Sequence, residues 1–223
     1  EQLVGEGFNE ILNNSLTKTA YYTDLKTYSA DTTVKVMNPL SADLGVMRQS
    51  LLFGGLESIM RNANRKNCNL RFFEFGNCYH YDADKWSADA PINAYRQERH
   101  LGLWVSGKRV EGSWAHPNED SSFYELKAYV ENVLARIGIT SGMVVMENST
   151  NDIFAKGMNI MTRGGKTIVE MGIVARKLQK QADIASEIYY ADFNWTNAMK
   201  AIRKNKVEFT ELSKYPAVSR DLA

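Results

Sequence analysis

Residues 70–81, L-R-F-F-E-F-G-N-C-Y-H-Y, carry so many Phe and Tyr side chains in one unbroken run that they read as a β-strand. Just upstream, Leu52, Leu56, Ile59, Met60 and Ala63 fall at helical spacing and form one apolar stripe. Ser50 suits the start of that helix, because its hydroxyl can accept a bond from an otherwise unpaired first-turn amide. Asn38-Pro39 stops whatever precedes, since the residue before proline is driven out of the helical region. Residues 38–81 thus make a unit of loop, amphipathic helix and buried strand, and the chain must be built around it.

The remaining segments follow the same rules. Gly7-Phe8-Asn9-Glu10-Ile11-Leu12 reads as a buried strand, residues 15–25 as a short helix capped by Ser15, and residues 32–37 as a β-branched strand. Residues 82–98, polar and holding Pro91, read as a loop. Residues 100–106 alternate Leu101, Leu103 and Val105 on one face with Trp104 on the other. Ser122 and Glu125 form a capping box, in which each side chain reaches the other's amide. Phe123, Leu126, Val130, Val133, Leu134 and Ile137 continue that helix to Gly138. A Gly164-Gly165 turn joins residues 155–162 to 167–174 as a hairpin. A helix at 177–183, a strand at 188–193 and a helix at 195–204 complete the series. Strands joined mainly by hairpins, with helices between them, predict an α+β fold: an antiparallel sheet flanked by helices.

Apolar residues at 44% and charged residues at 24% are those of an ordinary soluble domain. Lys+Arg 27 against Asp+Glu 26 gives a net charge of +1, without the strong positive charge that nucleic-acid binders concentrate. Cys68 and Cys78 have no second pair to make a zinc site, and are expected to be buried, reduced thiols of a cytoplasmic protein. No apolar run approaches the ~20 residues of a membrane span.

No motif for independent chemistry stands out. His80, His100 and His116 lack the spacing of a histidine metal pair, and neither a nucleophile elbow nor a phosphate loop occurs. Glu74 and Asp82 are acids flanking a strand. Gly164-Gly165 is better explained by the hairpin than by anion binding. Trp104, Trp114 and Trp195, with Tyr189 and Tyr190, are expected in the core, because basic residues do not interleave with them.

Taken in order, N-P-L-S, M-R-Q-S-L-L-x-G-x-L and F-F-E-F-G-N-C-Y resemble the core domain of the bacterial phenylalanyl-tRNA synthetase β-subunit family, with Phe53 standing where that family usually has proline. The resemblance implies a class II synthetase fold that has lost its catalytic residues, with no cofactor of its own. Residues 7–12 resemble the first class II motif, whose strand lies at a subunit interface, so Phe8, Ile11 and Leu12 are the expected interface anchors. The second motif puts His80 where active relatives carry a phosphate-binding arginine. An imidazole cannot replace that planar, permanently charged fork. The third motif falls on residues 186–202, which hold neither the glycine that lets backbone approach a nucleotide nor an arginine.

By the same resemblance, ATP, magnesium and phenylalanine belong to a catalytic α subunit, joined to β in an (αβ)2 heterotetramer that binds tRNA as a whole. Hydrolysis of mischarged tRNA belongs to β modules upstream of this piece. The core domain is expected over residues 1–210. The terminal P-A-V-S-R-D-L-A resembles the opening of a C-terminal ferredoxin-like domain that binds the anticodon stem, expected from residue 211. Two other readings stay open at this point: an active class II ligase with divergent motifs, and a stand-alone interaction domain.

Overall fold

A computed structural model describes residues 1–205, 211, 214–215 and 218–220. The expected junction at 210/211 and the start of a C-terminal domain lie largely outside these residues. The chain runs α1 (Gln2–Gly5), β1 (Asn9–Glu10), β2 (Leu16–Thr17), β3 (Val46–Met47), α2 (Leu52–Ala63), β4 (Leu70–Tyr81) and β5 (Tyr95–Ser106). It continues through β6 (Lys108–Val110), β7 (Glu119–Asp120), α3 (Phe123–Arg136), β8 (Val144–Asn148), β9 (Phe154–Thr162) and β10 (Thr167–Val174). It then passes through α4 (Arg176–Gln181), β11 (Ile188–Asn194) and α5 (Trp195–Ile202).

Seven strands form one sheet in the order β1-β4-β5-β11-β10-β9-β8. The β1–β4 pairing is parallel and the other pairings in the sheet are antiparallel. This is the expected α+β architecture. Because side chains alternate along a strand, every central strand feeds two cores. Phe73, Leu101, Leu103, Val105, Ala191 and Phe193 pack with residues of α1, α3 and α5. Phe72, Trp104 and Tyr190 pack on the opposite face with residues of α2 and α4. Trp104 is as buried as its neighbours, so β5 is covered on both sides.

Local signals hold where short-range chemistry decides. Ser50 Oγ accepts from the Leu52 amide at 3.2 Å. Ser122 Oγ accepts from the Glu125 amide at 3.3 Å, and Gly138 ends α3 at φ +85°. The second half of the capping box is not made: Glu125 turns instead to Arg71, accepting from Nη2 at 2.9 Å. An arginine within reach offers a charge-assisted bond, stronger than one to a neutral amide.

Three expectations need correction. Residues 15–25 are not a helix: Leu16 and Thr17 pair with Met47 and Val46, and a single 3-10 turn follows at Thr19–Tyr21. Residues 32–37 give only one bridge, Lys35 to Val46. Tertiary pairing and the burial of Tyr22, whose hydroxyl accepts from the Gln49 amide at 3.0 Å, override local preference here. The predicted loop over 82–98 is too long, since β5 already begins at Tyr95, opposite Tyr81. Its first residues are solvent-exposed, so hydrophobic alternation is lost there although the ladder continues.

Candidate functional site

β5 lies between β4 and β11, the strands that carry the second- and third-motif positions. A ligand held by both would therefore lie over β5, on the face turned away from α3 and α5. Registers Glu74–Gly102, Gly76–His100, Cys78–Glu98 and His80–Arg96 set the β4–β5 side chains on that face. Asp192 pairs with Gly102 on one side and Glu170 on the other.

The polar centre of this face is His100. Its Nδ1 lies 2.6 Å from Asp192 Oδ1 and its Nε2 lies 3.8 Å from Glu98 Oε2. Burial alone would lower its pKa, but the charge of Asp192, the hydrogen bond to it and the nearby Glu98 carboxylate outweigh that and raise it to about 10. It is therefore an imidazolium at neutral pH, clamped by carboxylates. In return, the His100 ring 3.8 Å away, helped by Arg96, holds the Glu98 carboxyl at about 2. Glu170, which accepts from Asn151 Nδ2 at 2.8 Å, is raised by burial and by the neighbouring Asp192. His80 is pushed down to about 4 by burial and by Arg96, so it is neutral near pH 7.

Apolar volume closes the rest of the face. Trp104 is fully buried here, and a Cβ at Gly102 or Gly55 would meet its ring at 2.5 and 2.1 Å. Gly55, the second glycine of the L-F-G-G-L stretch, thus lets α2 lie directly on the indole. The nearby cations are already engaged. Arg48 Nη1 donates to Glu74 Oε1 at 2.6 Å, and Arg96 lies 3.6 Å from Glu98. A triphosphate laid over β5 would have to displace the Asp192 and Glu98 carboxylates from His100 and Arg96 before meeting a cation. Among the described residues no group of three His, Cys, Asp or Glu side chains could hold a metal ion.

The expected interface residues separate from one another. Phe8 is 2% exposed, with its ring edge-on to Tyr129 at 4.8 Å. It packs in the chain's own core. Ile11 is half-buried, its amide donating to the Phe73 carbonyl at 2.9 Å. Leu12 is 90% exposed, on the rim of a groove of about 760 Å³ whose walls include Asn13, Tyr21, Phe53, Met60 and Leu178.

Two further expectations fail. Trp114 is fully exposed while Trp104, Tyr189 and Tyr190 are buried, and Cys68 is exposed while Cys78 is buried. Glu74 and Asp82 do not meet, as Asp82 binds Lys85 at the surface. Sequence reasoning passed over Arg48, Glu98, Asp192 and the Arg71–Glu125 pair, and weighed His100 only as a metal ligand. The available signal was a charged residue inside an apolar run, as in V-M-R-Q-S-L-L, F-F-E-F and Y-Y-A-D-F, because such residues are buried only when paired.

A helix-flanked antiparallel sheet with motif-bearing strands on either side of a central one defines the fold as that of a class II aminoacyl-tRNA synthetase. The crystal structure of pyrrolysyl-tRNA synthetase from Desulfitobacterium hafniense matches with a TM-score of 0.65, covering 91% of this chain and 65% of that one at 14% identity. A second structure, of Desulfitobacterium hafniense PylSc, gives 0.62 at 17% identity. Residues 1–195 match the model of the phenylalanyl-tRNA synthetase beta chain CLM domain, and the chain belongs to that family. The phenylalanine–tRNA ligase beta subunit of Bacteroides thetaiotaomicron is 59% identical over all 223 residues, which cover 27% of that protein. The beta subunit of Porphyromonas gingivalis is 46% identical over the same span, again 27% of its length. The chain thus spans about a quarter of the curated relatives it matches.

Proposed function

We propose that this chain is a non-catalytic core of a phenylalanine–tRNA ligase β subunit, packing against a catalytic α subunit in an (αβ)2 assembly of the cytoplasm. The observation that carries the reading is the closed face over β5. Trp104 occupies its volume, and the charges on it are already paired with one another, His100 with Asp192 and Arg96 with Glu98. Adenylate formation depends on fixed positive groups aimed at developing phosphate charge. ATP, magnesium and phenylalanine accordingly belong to α, and tRNA is bound by the assembly.

The contribution of this domain is then a surface. The groove beside Leu12 suits a partner, since an exposed leucine on the rim of a partly apolar cleft gains from being covered. The test is phenylalanine-dependent exchange of pyrophosphate into ATP. The full-length β subunit alone should give the buffer background, while addition of α should restore exchange. Exchange by β alone would overturn the non-catalytic reading, and failure of β to bind α would overturn the subunit reading.

A further inference from the structure

The β6–β7 hairpin holds Trp114 at its tip, 99% exposed. The loop beneath it is tied down. Asn118 Oδ1 accepts from the Gly112 amide at 2.7 Å and from Lys108 Nζ at 2.9 Å. The Ser113 amide donates to the His116 carbonyl at 2.9 Å, and Ser113 Oγ accepts from the Ala115 amide at 3.2 Å. At its base, Asn69 Oδ1 accepts from the Lys108 amide at 2.8 Å while Asn69 Nδ2 donates to Glu111 at 2.6 Å. A rigid aromatic on a loop already in shape loses little entropy on docking, which is the property of an interface anchor. Because several loop amides are already satisfied internally, recognition would fall to the indole rather than to strand pairing.

The position of the hairpin supplies the occupant. Arg71 Nη2 donates to the Arg109 carbonyl at 3.1 Å, and Nη1 lies 3.9 Å from where a Cβ on Gly7 would stand. The hairpin therefore stands at the start of the β1 edge. The same edge continues past Ile11 to the exposed Leu12, and Val4 of α1 is 58% exposed. Nucleic acid is disfavoured, since Glu119 and Asp120 are exposed on the β7 strand of the hairpin and Lys108 is engaged by Asn118. Phosphate backbones are bound by clustered free cations.

We propose that Trp114 is a second anchor for the catalytic subunit, entering an apolar cleft on α with basic groups at its rim. This rests on the subunit reading above. The test uses full-length β with Trp114→Ala or Trp114→Phe, competing against labelled wild-type β for α. Trp114→Ala should lower affinity about tenfold or more, with Trp114→Phe intermediate. In parallel, 5-fluorotryptophan at position 114 should shift its fluorine resonance when α is added. Wild-type affinity in Trp114→Ala, or an unmoved resonance, would overturn the proposal. So would a variant that keeps α but loses tRNA, which would mark the hairpin as an RNA element. If wild-type β itself fails to bind α, the subunit reading falls and the anchor with it.

Discussion

Arg48 and Glu74 meet at 2.6 Å across 26 positions of sequence, with 6% and 0% of their side chains exposed. The second Glu74 oxygen accepts from Asn13 Nδ2 at 2.7 Å, and Arg48 Nε donates to the Asn77 carbonyl at 3.0 Å. One ion pair thus joins the segment after β1, the entry to α2 and the middle of β4. It also explains the glycine of F-E-F-G, because a Cβ on Gly76 would lie 2.1 Å from Arg48 Nη2.

Removing one member strands a buried charge. Arg48→Met or Glu74→Gln alone should cost about 3–5 kcal/mol, while Arg48→Met with Glu74→Leu should recover much of the loss. Urea denaturation of the three variants decides this. A double variant as unstable as the singles would mean that the pair contributes through more than charge compensation.

The His100 clamp predicts a slope of stability with pH. Its folded pKa of about 10 lies above the ordinary 6.5, so its stabilisation is complete below the ordinary value and is lost as pH rises through the folded one. The unfolding midpoint should therefore fall between about pH 6.5 and about pH 10. His100→Gln should flatten that slope. The comparison separates His100 from Cys78, whose thiol burial pushes up and which adds a loss of its own in alkali. Equal slopes in both proteins would show that the clamp does not govern alkaline stability.

His80→Arg should not create activity. The new cation would sit opposite Arg96 in the β4–β5 ladder, a like-charged pair costing about 0.2–1 kcal/mol, with Trp104 and Asp192 unchanged nearby. Pyrophosphate exchange by this single variant would contradict the closed-face argument.

Phe8 and Leu12 should part company under the same substitution. Phe8→Asp places a charge in the core and should cost at least as much as truncation of a buried Phe, about 3–5 kcal/mol. Leu12→Asp should leave the unfolding midpoint within ~0.5 kcal/mol of wild type. Its binding to α should weaken by more than about 2 kcal/mol if Leu12 anchors the contact. Calorimetry on both variants, followed by titration with α, gives the two readouts.

Much of the fold was legible because periodicity reports burial: α2, α3, β4 and the β9–β10 hairpin all stand where spacing put them. Residues 15–37 resisted the same treatment. There, Tyr22 and the short β2–β3 pair are organised by contacts with residues about thirty positions away, which no local window contains. The candidate site was legible only as absence, in the missing arginine and glycine. Its positive content lay in contacts such as His100–Asp192, 92 positions apart. Sequence spacing carries no trace of which strands far apart in the chain become neighbours.

The indole of Trp104 beneath Gly55 makes the closed face hard to reopen. Clearing room for a nucleotide means deleting that ring, and a buried Trp→Ala change costs about 3–5 kcal/mol, a large share of a domain's ~5–15 kcal/mol stability. The arginines and glycine would still have to be introduced into a weakened scaffold, with no gain until several were in place together. The volume that Trp104 fills over β5 is also what keeps the sheet folded, so making room there for a ligand begins downhill in stability and has no early reward.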